Sequence, residues 1–343
     1  MGAKLFQVST DNVTYVTIPG NSAEISNEGG SLVDTVFGQA YESQDVGIIN
    51  WSVQANGFYK GYAGYKATVK KGGTPVTMTA EATTLVSGKT YIITATTKRL
   101  IDPLTAVVVK ISGSDVTSNV QDINYLTGEV TFKSSYTPAS APTIDGKYVP
   151  LADLAGYRNF TLSMKAAELD STDIPTARAN GGYATRDPAG LKSVSLELSG
   201  IYKSANDFTA LLDGRSYYVI EICPDGSDKS VSRGLYKLRV QGMSGEVGQL
   251  EEERVTFQLY VPDIALMKTP FTWIHTSTTM NTGLQNVIAA FLGSSTIYVK
   301  YLPDGTAGWS GLSAVAEVTL SGGLESMNEF SMSFAGSGAK TTI

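Results

Sequence analysis

A strand pattern written twice governs how this chain can fold. Residues 50–59 read NWSVQANGFY and residues 193–202 read SVSLELSGIY. Trp51, Val53 and Ala55 alternate with polar neighbours in the first, as Val194, Leu196 and Leu198 do in the second. Both then end in Gly, an apolar residue and Tyr. Alternation of period two sets one face of a strand on a core and the other towards solvent. The echo continues downstream, where YVIEICPDG (218–226) is matched by IYVKYLPDG (297–305). In each, a strand runs into Pro-Asp-Gly, a turn in which Pro fixes φ, Asp bonds the backbone ahead and Gly accepts positive φ.

Two segments of equal length follow, Gly234 to Phe257 and Gly311 to Phe334. Each holds a strand, a Ser-Gly turn (Ser244-Gly245, Ser321-Gly322) and a closing strand that sets Phe257 and Phe334 in register. A short helix pattern precedes each Pro-Asp-Gly strand, ANDFTALLDG (205–214) and TGLQNVIAAFLG (282–293), both ending in Gly. Ordered landmarks over this length indicate a duplicated domain and not a solenoid. The predicted organisation is a split first copy (1–72 with 266–343), a small β-sandwich insert (73–150) and a second copy (151–265). Residues 62–71, YAGYKATVKK, compete with 282–293 as the first copy's helix, and spacing leaves both open. The insert reads as strands KTYIITA, TAVVVKI, VQDINYLTGEVTF and DGKYVPL, with Leu126-Thr127-Gly128 as a hairpin turn. The fold class is therefore mainly β, sandwich- or barrel-like, with a short helix, duplicated.

Composition fits this plan. Of 343 residues 42% are hydrophobic and only 17% charged, and 35 are Gly, favouring strands joined by tight turns. A net charge of −6 gives no basic footprint for holding nucleic acid. The single Cys223 excludes an internal disulfide, and in YYVIEIC it reads as a buried small hydrophobe. The opening MGAKLFQVST has no apolar stretch of signal-peptide length, and Phe6 stands where a myristoylation motif needs Ser or Thr. The longest strongly apolar run, VIAAFL at 287–292, is far short of the ~20 residues a membrane helix needs. The expectation is a soluble, unexported chain in which Asn12 and Asn159 are not glycosylated.

Candidate chemistry is sparse. GSGAKT (336–341) lacks the Gly-Lys pair and the following helix of a phosphate loop, and reads as a flexible tail. PDGSD (224–228) has too few acids for calcium and reads as a solvated turn. LEEER (250–254) suits a charged sheet edge, or an acidic surface past which DNA slides. A hydrolase built on Glu252 would need a second positioned carboxyl, and the one His, His275, has no partner motif. No catalytic residue, metal site or cofactor is expected. Two long polar loops, 33–50 and 169–192, occupy the same place in the two copies and read as interaction arms.

The strand and long hairpin before SVSLELSGIY, the helix ANDFTALLDG, and the run YYVIEICPDGSDKSVSRGLYKLRVQGMSGEVGQLEEERVTFQLYVPD resemble the tail tube proteins of long-tailed bacteriophages with flexible, non-contractile tails. VQDINYLTGEVTFKSSYTP also looks like a segment of such phage proteins. The resemblance covers most of the chain and rests on strand pattern, not on an invariant motif. It implies paired sheets flanked by a helix, six such folds closing a ring around a channel, and a long hairpin reaching to the next ring. With two folds per chain, a homotrimer makes the pseudo-hexameric ring. The implied partners are further copies, tail completion and tip proteins, and tape measure protein and genomic DNA held loosely in the lumen. Location would be the virion tail, assembled in the bacterial cytoplasm.

Under the resemblance, the inter-ring contacts are Asp34, Phe37, Tyr41, Glu42 and Asp45 on one arm. Asp170, Asp173, Arg178, Tyr183 and Arg186 serve on the other. Candidate lumen acids are Asp34, Asp170, Glu251, Glu252 and Glu253, because each cation facing phosphate would add affinity through counterion release. The alternative function is a decoration, receptor-binding or carbohydrate-binding protein, in which Trp51, Trp273, Trp309 or Tyr148 would stack on sugars.

Overall fold

A computed structural model describes residues 5–33, 44–203, 208, 217–226, 230–264, 266–267, 269–275 and 280–343. The fold is mainly β. The chain forms two compact units, Met1–Ala67 with Arg158–Glu197 and His275–Ile343, and Thr68–Tyr157 with Leu198–Ile274. These units do not follow the boundaries drawn from sequence. Residues 68–72 and 73–150 both lie in the second unit, and 158–197 in the first.

In the first unit the strands run in the order Val16–Ile18, Leu5–Ser9, Ile297–Leu302, Trp309–Gly323, Met327–Thr342, Gln44–Ala63, Gly20–Val33. Tyr157–Ala166 pairs with the far end of Trp309–Gly323, from Asn159↔Gly323 to Lys165↔Glu317. One α-helix, Thr282–Gly293, packs on this sheet. Leu284, Val287, Ile288 and Phe291 are its buried stripe, at the i, i+3, i+4, i+7 spacing of an amphipathic helix. Asn281 caps it by accepting from the Leu284 amide. Ser294, not Gly293, takes the left-handed position after its end, at φ 51°. Residues 62–71 do not form the competing helix. They complete the strand Gln44–Ala63, turn once at Gly64–Lys66 and enter the strand Thr68–Gly72.

The second unit repeats part of this order: Leu151–Asp153, Thr68–Gly72, Tyr218–Cys223, Ser230–Ser244, Glu252–Leu259. Each of these five strands stands where its counterpart stands among the first five of the other unit. The register agrees as well. Leu238 faces Phe257 as Val315 faces Phe334, and Ser244 faces Glu252 as Ser321 faces Glu329. A β-bulge interrupts both hairpins at the same step, Leu238/Val240 and Val315/Glu317. Since a one-residue slip would turn every core side chain to the other face, a shared bulge and a shared register mark one fold written twice. Both Pro-Asp-Gly turns carry Gly at positive φ, Gly226 at 67° and Gly305 at 87°. Val194, Leu196 and Leu198 are buried as Trp51, Val53 and Ala55 are. The expected helix 205–214 falls outside the described residues except for Phe208, which packs edge-on against Tyr218 and Phe257.

Between Thr68–Gly72 and Leu151–Asp153 the second unit carries a seven-stranded antiparallel sheet. Its order is Val120–Asn124, Glu129–Phe132, Thr90–Ile93, Val76–Ser87, Thr143–Tyr148, Val108–Ile111, Ser114–Asp115. Val76–Ser87 pairs with Thr143–Tyr148 along one half and with Thr90–Ile93 along the other, so the sheet folds over a single core. Met78, Val109 and Ile144 meet Ile93, Ile123, Val130 and Phe132 there. Leu126-Thr127-Gly128 forms the turn between Val120–Asn124 and Glu129–Phe132, with the Gly128 amide donating to Asn124 O at 2.8 Å. A second cluster joins Leu100, Leu126 and Val149 of this sheet to Val219 and Leu235. Arg233 bridges the same junction, pairing with buried Glu221 at 2.5 Å and donating to Leu126 O at 2.9 Å.

The expected flexible tail at 336–341 is instead strand, within Met327–Thr342. Its glycines have a packing reason. Gly336 lies against the Trp51 ring so closely that a Cβ would stand 2.1 Å from Cε2, and the Trp51 indole donates to Gly338 O at 2.8 Å.

Candidate assembly arms

The first arm is a long β-hairpin. Gly20–Val33 pairs with Gln44–Ala63 out to Ser31↔Val46, Leu32↔Asp45 and Val33↔Gln44. The outer strand is almost wholly exposed, and at the described end Leu32, Val33 and Val46 are 58%, 63% and 64% exposed. Val33 and Val46 share one face of the ladder and Leu32 lies on the other, because direct partners and alternate residues point the same way. Ser31 Oγ donates to Gln44 Oε1 at 2.9 Å, and Asp45 accepts from the Val46 amide. Asp34, Phe37, Tyr41 and Glu42 lie outside the described residues.

The second expected arm does not extend. Leu169–Asp170 pairs with Arg186–Asp187, and a six-residue helix, Ile174–Ala179, lies between. Asp173 caps that helix by accepting from the Thr176 amide at 2.7 Å, and the Thr176 hydroxyl together with that amide holds its carboxyl below the usual range. Arg178 is exposed and Tyr183 half-buried. The returning segment then docks midway along the hairpin, at Ile49 opposite Gly29. Gly182 O accepts from the Ile49 amide at 2.9 Å, and the Ala184 amide donates to Ile49 O at 3.0 Å. Ala184 O accepts in turn from the Gly338 amide at 2.7 Å. Arg186 completes the dock: its guanidinium donates to Asn50 Oδ1 at 2.6 Å and pairs with Asp170 at 2.6 Å, while its backbone exchanges two hydrogen bonds with Ser337 Oγ. Hydrogen bonds from Thr172, then Arg186, pull the Asp170 carboxyl down to about 2. The 169–192 segment is thus a buttress for the hairpin. Ile49, Asn50 and Ser337 complete it, and no local sequence signal marks them.

The acids at 251–253 divide. Glu251 and Glu252 are exposed, but Glu253 is 2% exposed and lines no open surface. It accepts from Tyr157 Oη at 3.0 Å and Gln241 Nε2 at 2.6 Å, because the alternation of Glu252–Leu259 turns it inward. Burial, then the Glu253 charge, pushes the Tyr157 hydroxyl far up. Asp225 is also buried, although Gly226 beside it is exposed and 227–228 of the expected solvated turn lie outside the described residues, whereas its counterpart Asp304 is exposed and accepts from Thr306 and Ala307. Among the four aromatics proposed for sugar stacking, Trp51 is core and Trp273, Trp309 and Tyr148 are half-buried. Lys340 lies 5.5 Å from the Trp309 ring centroid. Cys223 is buried. Among the described residues no three His, Cys, Asp or Glu side chains are grouped to hold a metal ion, and no helix is long and apolar enough to cross a membrane.

No family model and no curated protein matches the chain. Among solved structures it is similar to a chain from the tail of an empty gene transfer agent (GTA) particle with C6 symmetry, at 15% identity over 37% of this chain and 87% of that one. It is also similar to a chain from the virion of a native gene transfer agent particle, at 16% identity over 37% and 89%. Both likenesses have a TM-score of 0.30, which is too low to carry an argument about this chain.

Proposed function

We propose that this chain is a structural subunit of a virion tail tube, without enzymatic activity. The observation that carries the reading is the duplicated sheet, with its five-strand order, hairpin register and bulge in common. Two equivalent folds per chain let three chains close a pseudo-six-fold ring. Heterologous stacking of such rings has no point-group closure and extends into a tube. The buttressed hairpin, with exposed apolar residues at its described end, supplies an arm for such stacking. A net charge of −6 suits a conduit, since a lumen poor in cations does not hold DNA. In this reading Glu251 and Glu252 face the lumen, the 73–150 sheet stands outside, and tail completion, tip and tape measure proteins are the partners. Negative-stain electron microscopy of the purified protein tests it. Rings or tubes are the expected result, and a strictly monomeric protein at high concentration in every condition contradicts it.

A further inference from the structure

Two Asn-Gly pairs occur in the sequence, Asn56-Gly57 and Asn180-Gly181. In such a pair the glycine amide nitrogen can reach the asparagine Cγ, because the following residue has no Cβ to stand in the way. The fold treats the two pairs differently. Asn56 lies inside Gln44–Ala63, facing Ser22 on one side and Ser331 on the other, so two ladders fix its backbone. Gly57 is hemmed in as well, since a Cβ there would stand 2.6 Å from Pro19 O. Asn180 instead ends the six-residue helix Ile174–Ala179, none of whose residues is buried, at φ −92° and ψ 11°. Gly181 and Gly182 follow at φ 66° and 87°, and a Cβ at either would meet nothing within 4 Å.

The bonds that hold the Asn180-Gly181 link are long. Asn180 Nδ2 donates to Thr185 Oγ1 at 3.2 Å, the Gly181 amide to Arg178 O at 3.3 Å, and the Tyr183 amide to Asn180 O at 3.4 Å. The usual N–H···O distance is ~2.9–3.0 Å. The flanks are firmer: the Asn180 amide donates to Thr176 O at 2.9 Å and the Gly182 amide to Ala177 O at 2.8 Å. A short, uncovered helix end of this kind opens at low free energy. Opening frees ψ of Asn180 to turn the Gly181 nitrogen towards Cγ, which Asn56 cannot do without unzipping its ladders.

We propose that Asn180 is a self-modification site, at which Gly181 converts the carboxamide to aspartate and isoaspartate with water as the only co-reactant. The Gly181 nitrogen bonds to Asn180 Cγ, the Cγ–Nδ2 bond breaks, and ammonia leaves with the proton that the Gly181 amide gives up. Water then opens the five-membered imide at Cγ to give aspartate, or at the main-chain carbonyl to give isoaspartate. Isoaspartate carries the chain through its side chain, one methylene longer, directly before the dock on the hairpin. There Gly182 O and the Ala184 amide hold Ile49, and Ala184 O holds the Gly338 amide. The carboxamide itself lies beside Gly338, where a Cβ would stand 3.5 Å from Nδ2. Conversion therefore removes the donor to Thr185, lengthens the main chain and sets a carboxylate against the strand Met327–Thr342. The brace on the hairpin loosens irreversibly as the protein ages.

Ageing the purified, unsubstituted protein at mildly alkaline pH tests the proposal, with tryptic peptides read by mass spectrometry and isoaspartate by enzymatic methylation. Trypsin releases Asn180 in the short peptide ANGGYATR, 179–186. In the folded protein Asn180 should convert at least ~ten-fold faster than Asn56, with isoaspartate among the products. In urea the two should convert at similar rates, since the ladders that protect Asn56 are gone. Equal rates in the folded protein, a carboxamide that persists at Asn180, or aspartate without isoaspartate would each overturn the proposal. Hydrogen exchange of the Ile49 amide, which donates to Gly182 O at 2.9 Å, reads the consequence. It should rise with age in the native sequence and stay level in Asn180→Gln, whose longer side chain closes a ring far more slowly. Exchange at Ile49 that does not rise with conversion would overturn the loosening of the brace, and none of these results bears on the tube reading.

Discussion

Replacing Gly336 by Ala probes how the repeated strand pattern is held in its first copy. Trp51 is 5% exposed, and its ring fills the space a side chain at Gly336 would need. A Cβ there would stand 2.1 Å from Cε2 and 2.3 Å from Cδ2 and Nε1, whereas non-bonded carbons settle at ~3.5–4.0 Å. The ring cannot simply slide away, because its far edge lies against Gly311, where a Cβ would be 2.6 Å from Cζ2. Overpacking a filled core costs ~1–3 kcal/mol. Displacing the indole from Gly338 O adds ~1 kcal/mol, so Gly336→Ala should cost about 2–4 kcal/mol. At ~2–4 °C per kcal/mol for a unit of this size, the unfolding midpoint should fall by roughly 5–15 °C. Urea and thermal unfolding followed by circular dichroism measure it, in the native and the Trp51→Leu background. With the indole gone the penalty should drop below about 1 kcal/mol. A cost under ~0.5 kcal/mol, or the same cost in both backgrounds, would refute the packing argument.

The acids at 251–253 should separate in urea unfolding. Glu253→Ala strands the Tyr157 and Gln241 donors and should cost ~2–3 kcal/mol, while Glu251→Ala and Glu252→Ala should stay within ~0.5 kcal/mol. Arg233→Met leaves Glu221, 3% exposed, with Lys70 at 3.4 Å as its remaining ion pair among the described residues. It should cost about 3 kcal/mol and raise hydrogen exchange around Leu126, and unchanged exchange there would count against Arg233 as the tie to that sheet. The Asp170 carboxyl, lowered to about 2, stabilises its dock above the unfolded value of ~3.9. That contribution is lost as pH falls through about 2. Carbon-detected titration of the carboxyl should find the low value, and an apparent value above ~3.5 contradicts the contacts described.

The duplicated hairpins were legible because their signals are local. Pro-Asp-Gly, the alternating runs and the placing of Phe257 and Phe334 each lie within a few residues, and each specifies a turn or a face. What sequence misjudged depends on distant partners. GSGAKT reads as a tail until Trp51 is laid across Gly336, and 169–192 reads as an interaction arm until Arg186 finds Asn50, 136 positions away. Glu253 looks like one of three solvated acids, yet its partner Tyr157 lies 96 positions earlier. The alternation of Glu252–Leu259 already pointed it inward, so that signal was present and was outweighed by charge.

The mass of one assembled ring tests the central claim most directly. Two copies of one fold per chain predict three chains of 36.4 kDa each, measured by native mass spectrometry or by mass per length of tubes combined with the axial repeat. Six chains in a ring of this kind would mean that the duplication does not build the ring, and the account would fail.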